Sequence, residues 1–401
     1  MDFQSLKNLD LNGKRVLLRA DLNVPARRGK VSDTTRIDRL KPTIDYLREH
    51  GAKVLILSHF GRPDGEQNPE MSLAFLVGTL EECWGCDVRF ANDCIGPRAQ
   101  AVADSLQNGD VALLENVRFH KGEKANDTAF IRELAKLGDI FVNDAFSAAH
   151  RAHASTEGLA HVLPPAAGLL MEAELRALDS ALDHPEHPVM AITGGSKIST
   201  KLGVLYNLVE KVDYLILGGA MANTFIHAQG GDVGASMCER DMADEARKIA
   251  DHAKTHGCEI LLPKDCVVVR EIKVDAAHEV VPADAVPNDM MAIDIGPDSV
   301  AALQDKIGRC STLVWNGPLG VFEIPPFDKG TNAIADIVAR QTRTGDLISI
   351  AGGGDTIAAL ENANLCNGLT YLSTAGGAFL EWLQGKTLPG IAALAAYKEA
   401  A

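Results

Sequence analysis

The sequence predicts an α/β protein: two doubly wound parallel-sheet domains joined by a linker helix and a hinge. Three observations carry this expectation. The chain has 401 residues, enough for two domains at roughly 100–200 residues each. In both halves, short β-branched runs alternate with longer segments of helical period, the pattern of βαβ units. Between the halves lies a stretch of strong helix formers.

In the first half, strands are expected at 15–19, 53–58, 87–91, 111–114 and 140–143, with helices at 37–50, 73–84, 97–106 and 127–137. The middle stretch, 171–182, has apolar residues at Leu175, Leu178 and Leu182, a spacing of three and four, and Pro185 and Pro188 follow it. It reads as a linker helix. In the second half, strands are expected at 189–193, 214–217, 259–262, 312–315, 347–351 and 370–373, with helices at 201–210, 241–256, 298–307 and 332–341. The domain boundaries expected are 1–170, a linker at 171–188, and 189–387. No internal repeat stands out.

Composition bounds the function. Hydrophobic residues make up 46% and charged residues 23%, as in an ordinary globular protein. The net charge of −15 argues against a nucleic-acid or acidic-membrane partner. It is unevenly spread. Residues 1–170 hold 21 Lys+Arg against 23 Asp+Glu, and the remainder 18 against 31, so an anion site built on side-chain charge belongs in the first half. The opening residues lack a signal-peptide pattern, and no run approaches the ~20 apolar residues of a membrane span. Eight scattered cysteines fit reduced, cytoplasmic thiols. Cys83 and Cys86 form a lone C-x-x-C, read as two small residues where a helix meets a turn rather than half a zinc site.

Ligands of open α/β sheets bind beyond the carboxyl ends of the strands. In the first half those positions are basic or amide-bearing: Asp21 and Asn23, then His59, Gly61 and Arg62, then Arg118, then the run from Asp144 to His153. Arg36 opens the first long helix. One such arginine would be a solvated surface charge. Basic groups after successive strands point to a site for a small polyanion, which guanidinium groups grip bidentately.

In the second half the same positions are glycine-rich: Gly194-Gly195, Gly218-Gly219, Gly352-Gly353-Gly354 and Gly376-Gly377. Glycine lets backbone N–H groups approach phosphate at a helix start. Asp355 is a candidate magnesium ligand and Thr356 a candidate phosphate donor. Lys197 and Lys201 follow the first glycine pair. Neither the Walker-type phosphate loop nor the dinucleotide glycine fingerprint is present. A small anion on one domain and a nucleotide on the other suggest phosphoryl transfer, which needs positioning and charge neutralisation more than covalent work. A carboxylate acceptor would need no general base, being ionised near neutral pH.

Seven segments, in order along the chain, resemble the phosphoglycerate kinase family. They are Arg19 to Pro25, Ser58 to Pro63, Leu113 to Phe119, Asp144 to His153, Gly194 to Lys201, Trp315 to Glu323 and Gly352 to Thr356. The resemblance implies transfer between ATP and the carboxylate of 3-phosphoglycerate in glycolysis and gluconeogenesis. It places Asp21, Asn23, Arg36, His59, Gly61, Arg62, Arg118 and Arg151 on 3-phosphoglycerate or its 1-phosphorylated form. It places Gly195, Lys197, Lys201, Gly219, Asn316, Glu323, Gly352, Gly353, Gly354, Asp355 and Thr356 on the nucleotide, with Glu323 at the ribose. Mg²⁺ carried by ATP or ADP would meet Asp355. Arg36, Lys197, Gly354 and Gly377 would stabilise the transferring phosphoryl group. It further implies domain closure about a hinge, return of residues 388–401 to the first domain, and a cytoplasmic monomer. Ser147 stands where the family often has Gly, Ala148 where it often has Thr, and Phe60 where Leu is common.

Overall fold

The computed structural model describes residues 3–27 and 29–396. They form two compact units: the chain up to Leu175 with the return from Thr387, and Arg176–Lys386.

The first unit runs β1 (Arg15–Arg19), a short hairpin of β2 (Ala26–Arg27) and β3 (Lys30–Val31), α1 (Thr35–Glu49), β4 (Lys53–Leu57), α2 (Val77–Trp84) and β5 (Val88–Ala91). It continues with α3 (Gly96–Ser105), β6 (Val111–Leu114), α4 (Lys121–Lys124), α5 (Thr128–Ala135), β7 (Ile140–Asn143), β8 (Pro165–Ala167) and α6 (Leu169–Leu178). Six strands pair in the order β5-β6-β4-β1-β7-β8, every neighbour parallel. From β1 the chain leaves first toward β4 and later returns to β7 on the other side. The topological switch therefore falls at the carboxyl end of β1, where ligands of such sheets bind.

Period two explains the core. Val16, Leu18, Val54, Ile56, Val111 and Leu113 join one apolar cluster, while Leu17, Leu55, Leu57, Ala112 and Leu114 join another. Successive side chains point to opposite faces, and both faces are covered, so the strands read as continuous apolar runs. The caps follow local chemistry. Asp127 accepts from the Phe130 N–H to start α5, and Gly85 at φ 65° ends α2.

The second unit runs β9 (Val189–Thr193), α7 (Leu202–Val209), β10 (Tyr214–Leu217), α8 (Gly219–Ala228), β11 (Asp232–Val233), α9 (Ala243–Thr255), β12 (Glu259–Leu261), β13 (Asp265–Val269) and β14 (His278–Pro282). There follow β15 (Ala285–Val286), β16 (Met291–Ile295), α10 (Pro297–Ile307), β17 (Thr312–Asn316), α11 (Lys329–Thr344), β18 (Ile348–Gly352), α12 (Gly354–Asn362), β19 (Tyr371–Ser373) and α13 (Gly376–Leu383). Its main sheet is β12-β10-β9-β17-β18-β19, all parallel, with the switch between β9 and β17. The last helix, α14 (Pro389–Ala396), packs on β8 of the first unit, where the Gly390 N–H donates to the Ala149 carbonyl at 2.9 Å. Residues 397–401 of the expected return segment lie outside the described residues.

The α/β class with two parallel sheets stands. The expectation omitted a three-stranded antiparallel sheet, β14-β13-β16. Its outer strand β14 is mostly exposed, so its apolar content is too low to read as a buried run. Also omitted were α8 and α13, whose glycine starts read as turns, while a helix was expected after Gly352-Gly353-Gly354, where α12 begins. The middle stretch becomes α6 followed by a π-helical turn at Asp179–Asp183. All eight cysteines are free thiols. Among the described residues, no helix is long and apolar enough to cross a membrane.

Candidate active site

Each unit gathers the site residues expected from the sequence at the carboxyl edge of its sheet. In the first unit the turn after β1 carries Asp21 and Asn23. Arg36, in the first turn of α1, reaches back to them: its Nη1 donates to Asp21 Oδ2 at 2.9 Å and to the Asn23 carbonyl at 2.8 Å. Asn23 Oδ1 accepts from the Gly61 N–H at 3.0 Å, tying this turn to the one after β4. Gly61 sits at φ +61°, and a Cβ there would meet Met71 Sδ at 2.9 Å. Arg118, almost buried, donates from Nη1 to the Gly61 carbonyl at 2.8 Å, and its buried Nε has no partner. Arg62 is exposed beside it, and Arg151 is half-buried.

The positive charges crowd one another. Burial lowers the Arg118 pKa to about 10, and the neighbouring Arg151 and Arg19 add to the effect. Burial also pushes the His153 imidazole down to about 4, aided by Arg118 and Arg151. His59, buried behind Arg19, Arg118 and Arg151, is lowered well below its ordinary range by the same causes. Both histidines are thus neutral at pH 7. A surface with this much unneutralised positive charge is arranged for an anion.

Behind it lies a network the sequence reading missed. Arg19, the last residue of β1, is 1% exposed. It donates from Nη2 to His59 Nδ1 at 2.9 Å, from Nε to Ser155 Oγ at 2.9 Å, and from Nη1 to the Ala20 carbonyl. Because a guanidinium can only donate, His59 Nδ1 accepts and the neutral ring carries its proton on Nε2. Ser155 donates from its Oγ to Glu123 Oε1 at 2.7 Å and from its N–H to Glu123 Oε2 at 3.0 Å. Glu123, fully buried, lies in the run Lys121-Gly122-Glu123-Lys124, which has the look of a solvated surface turn. No sequence signal distinguishes it, whereas a charged residue ending a buried strand was a cue to Arg19. Burial shifts each partner toward neutrality, Arg19 down and Glu123 up, despite their mutual attraction. Arg19→Met is expected to destabilise the protein by about 3–5 kcal/mol, because it leaves a buried carboxylate without its cation. Urea unfolding with a midpoint unchanged from wild type would refute this.

Ser147, the departure from the family pattern, also has a contact: its hydroxyl donates to Asp21 Oδ2. The substitution thus adds a second donor to Asp21 Oδ2, the oxygen that holds Arg36.

In the second unit the turns after β9 and β17 almost touch. A Cβ on Gly194 would lie 1.8 Å from the Pro318 carbonyl oxygen, and one on Gly317 would lie 2.4 Å from that of Gly194, so only glycine fits at either place. Lys201 bridges them, donating from Nζ to the Gly194 carbonyl at 2.8 Å, to Asn316 Oδ1 at 2.8 Å and to the Asn316 carbonyl at 3.1 Å. Burial lowers its pKa to about 8, with Asp355 pulling the other way. Asn316 Nδ2 donates onward to the Gly352 carbonyl at 2.9 Å. Gly195 lies against this lysine, and Gly219 donates its own N–H to the Leu319 carbonyl at 2.9 Å. Gly219 therefore serves the turn through its φ of +64°.

The starts of α12 and α13 are adjacent: a Cβ on Gly376 would lie 3.9 Å from the Gly354 nitrogen. Two helix N-termini thus bring unsatisfied N–H groups, those of Gly354 and Gly377 among them, and two positive dipole ends to one place. Gly353, at φ +99°, holds the turn, where a side chain would strike Asn316 Nδ2 at 2.7 Å. Thr356 is buried, and its Oγ1 accepts the Gly317 N–H at 2.7 Å while its own proton stays available. Asp355, Lys197 and Glu323 are exposed. Among the described residues Asp355 has no hydrogen-bonding or ion-pair partner, so its hard carboxylate oxygens are free to meet a magnesium ion.

A family model described as phosphoglycerate kinase matches residues 6–386. A phosphoglycerate kinase of Rhodospirillum centenum is 57% identical over 396 residues, covering 99% of this chain and all of that protein. One of Allorhizobium ampelinum is 57% identical over 393 residues, 98% of each chain. Among solved structures, the phosphoglycerate kinase of Coxiella burnetii superposes with a TM-score of 0.92 at 44% identity, covering 98% of this chain and 99% of that one. That of Pyrococcus horikoshii superposes at 0.80 with 31% identity, covering 98% of each.

Proposed function

We propose how the residues divide the work, on the premise that this chain belongs to the phosphoglycerate kinase family. The reaction is the reversible transfer of a phosphoryl group from 1,3-bisphosphoglycerate to ADP, giving 3-phosphoglycerate and ATP, and the chain is a phosphotransferase with a carboxyl acceptor.

In this proposal, residues 1–170 with the return of 388–401 bind 3-phosphoglycerate, 171–188 link, and 189–387 bind the nucleotide. The anion rests on Arg36, Arg62, Arg118, Arg151 and His59, with Asp21 and Asn23 ordering Arg36 and the turn at Gly61. His59 presents Nε2–H, a neutral donor that binds an anion without adding a charge to titrate near neutrality. Lys201, Asn316 and the Gly352–Thr356 turn take the nucleotide phosphates, and Glu323 takes the ribose. Asp355 would hold Mg²⁺, which supplies charge neutralisation on the phosphates when bound. A single chain supplies every residue named, in keeping with a monomer, and a cytoplasmic location completes the reading.

No general base enters. In the direction of ATP use, an oxygen of the ionised carboxylate of 3-phosphoglycerate bonds to the γ-phosphorus, and the bond from that phosphorus to the ADP oxygen breaks. The electron pair leaves with ADP, and no proton need move. Arg36 and Lys197, with the N–H groups of Gly354 and Gly377, stabilise the charge on the moving group.

The observation that carries this reading is Arg118: a nearly buried guanidinium with an unpartnered Nε, anchored on the Gly61 turn, and pushed down in pKa by burial and by its neighbours Arg151, Arg19 and Arg62. Calorimetric titration with 3-phosphoglycerate tests it. Arg118→Met is expected to weaken binding by at least about tenfold, since a hydrogen bond to a charged group is worth about 1.5–3 kcal/mol. Affinity unchanged by that substitution would contradict the assignment.

Lys201 gives a pH signature. Its free-state pKa of about 8 must rise when a phosphate anion binds, because the anion favours the charged amine. Above about pH 8 the nucleotide then binds together with a proton, so affinity falls as pH rises through and beyond that value. Lys201→Met should flatten the dependence. An ADP affinity that stays constant from pH 7 to about 9.5 would refute the role.

A further inference from the structure

The opposite edge of the second unit's main sheet, where the strands begin, carries a cluster that the phosphoryl-transfer reading does not use. Glu210 caps the carboxyl end of α7, four residues before β10. His252 lies in the last turn of α9 and His256 caps that helix four residues on, hence on the same face. One potential ligand atom from each of these three residues lies within 4.8 Å of the other two.

The local hydrogen bonds suit ligation. His252 Nε2 lies 2.7 Å from Glu210 Oε1. His256 Nδ1 donates to the His252 carbonyl at 2.9 Å, so in the neutral ring its Nε2 holds a free lone pair. Orientation of a histidine by a carbonyl on its other nitrogen is the usual support of a metal ligand. The two rings are 4.3 Å apart between centroids. The Tyr206 ring packs edge-on against His252 at 5.4 Å, with its hydroxyl donating to Glu245, which fixes the His252 ring from the other side.

We propose that Glu210, His252 and His256 form a surface binding site for a divalent transition metal of the zinc, nickel and copper class. Two imidazoles and one carboxylate favour such ions over magnesium, so the site is separate from that of the nucleotide's ion. Water completes the shell, since Glu210 and His256 are exposed. The metal takes the place of the proton that His252 and Glu210 share. In a neutral His252 that proton moves to Nδ1, and an imidazolium releases one proton to solvent. The ion would clip α7 to α9, elements about forty residues apart in sequence, and so would stabilise this edge of the unit.

A second cluster, Asp93, Cys94 and His120, serves as the control. There Asp93 Oδ1 already accepts from His120 at 2.8 Å and from the Cys94 N–H at 2.8 Å, and Cys94 is fully buried.

The test is calorimetric titration of the intact chain with NiCl₂ in the absence of nucleotide, paired with thermal unfolding. The wild type is expected to bind one ion with micromolar affinity and to unfold at a higher temperature in its presence. His252→Gln and His256→Gln should each weaken binding by at least about tenfold and abolish the thermal shift. His120→Gln should change neither, and turnover should be unaffected by His256→Gln, which shows that the variant is folded. The proposal is overturned if no saturable binding occurs up to millimolar NiCl₂. It is equally overturned if binding survives both α9 substitutions, or if His120→Gln abolishes it.

Discussion

Arg36→Ala is expected to lower kcat by about 100-fold or more, the effect of removing a donor aimed at transition-state charge. Arg36 is one cation of the first unit held in a fixed pose by two hydrogen bonds while its side chain stays 33% exposed. The pair with Asp21 fixes direction, and the exposed remainder of the guanidinium can meet a ligand. Such a partly exposed pair contributes little to stability, so the variant should fold. The loss should fall on kcat more than on the affinity for 3-phosphoglycerate, because Arg62, Arg118 and Arg151 remain. Arg36→Lys should not rescue fully, since an ammonium cannot donate to Asp21, the Asn23 carbonyl and a phosphoryl oxygen with the same planar geometry. Steady-state kinetics with kcat within about threefold of wild type would remove Arg36 from the chemistry.

Lys197→Ala is expected to have the second largest effect, again a fall in kcat of about 100-fold. Lys197 sits exposed in the loop that follows β9, and among the described residues its amine has no hydrogen bond or salt bridge. Lys201, four residues on, has the opposite character: it is tied by three donations within the protein. The two lysines therefore differ in task. In the proposed division of labour Lys201 shapes the loop and would receive the nucleotide, whereas Lys197 is an exposed point charge that would serve the group in transit. The expected signature of Lys197→Ala is a low kcat with ADP affinity nearly intact. A variant that binds ADP ten times more weakly at unchanged kcat would exchange the roles of the two lysines.

Much of this was legible in the sequence, for identifiable reasons. Strands buried on both faces must be apolar throughout, so β1, β6, β7, β9 and β10 stood out as runs with sharp ends. Polar residues past the ends of these strands and of β4 break the apolar pattern, which drew attention to His59, Arg118 and Lys201. The glycine turns were visible because the backbones of Gly194 and Gly317 approach too closely for any Cβ.

What stayed hidden was hidden physically. Glu123 is a buried charge in a segment whose neighbours are all surface-like, and only tertiary folding brings it to Ser155 and Arg19. The helix starts at Gly219 and Gly376 look like turns because glycines just past the end of a strand also open a helix. β14 carries too few apolar residues to show a buried pattern. His252 and His256 share a helix face in plain sight, but their partner Glu210 is 42 residues away.

The measurement that tests the account most directly is a steady-state assay with ATP, Mg²⁺ and 3-phosphoglycerate, following ADP release with hydroxylamine present to trap acyl phosphate. ADP formation is expected to require 3-phosphoglycerate, with one hydroxamate trapped per ADP. ADP release without hydroxamate, or no release from a folded sample that binds ATP, would contradict a carboxylate acceptor and the division of labour built on it.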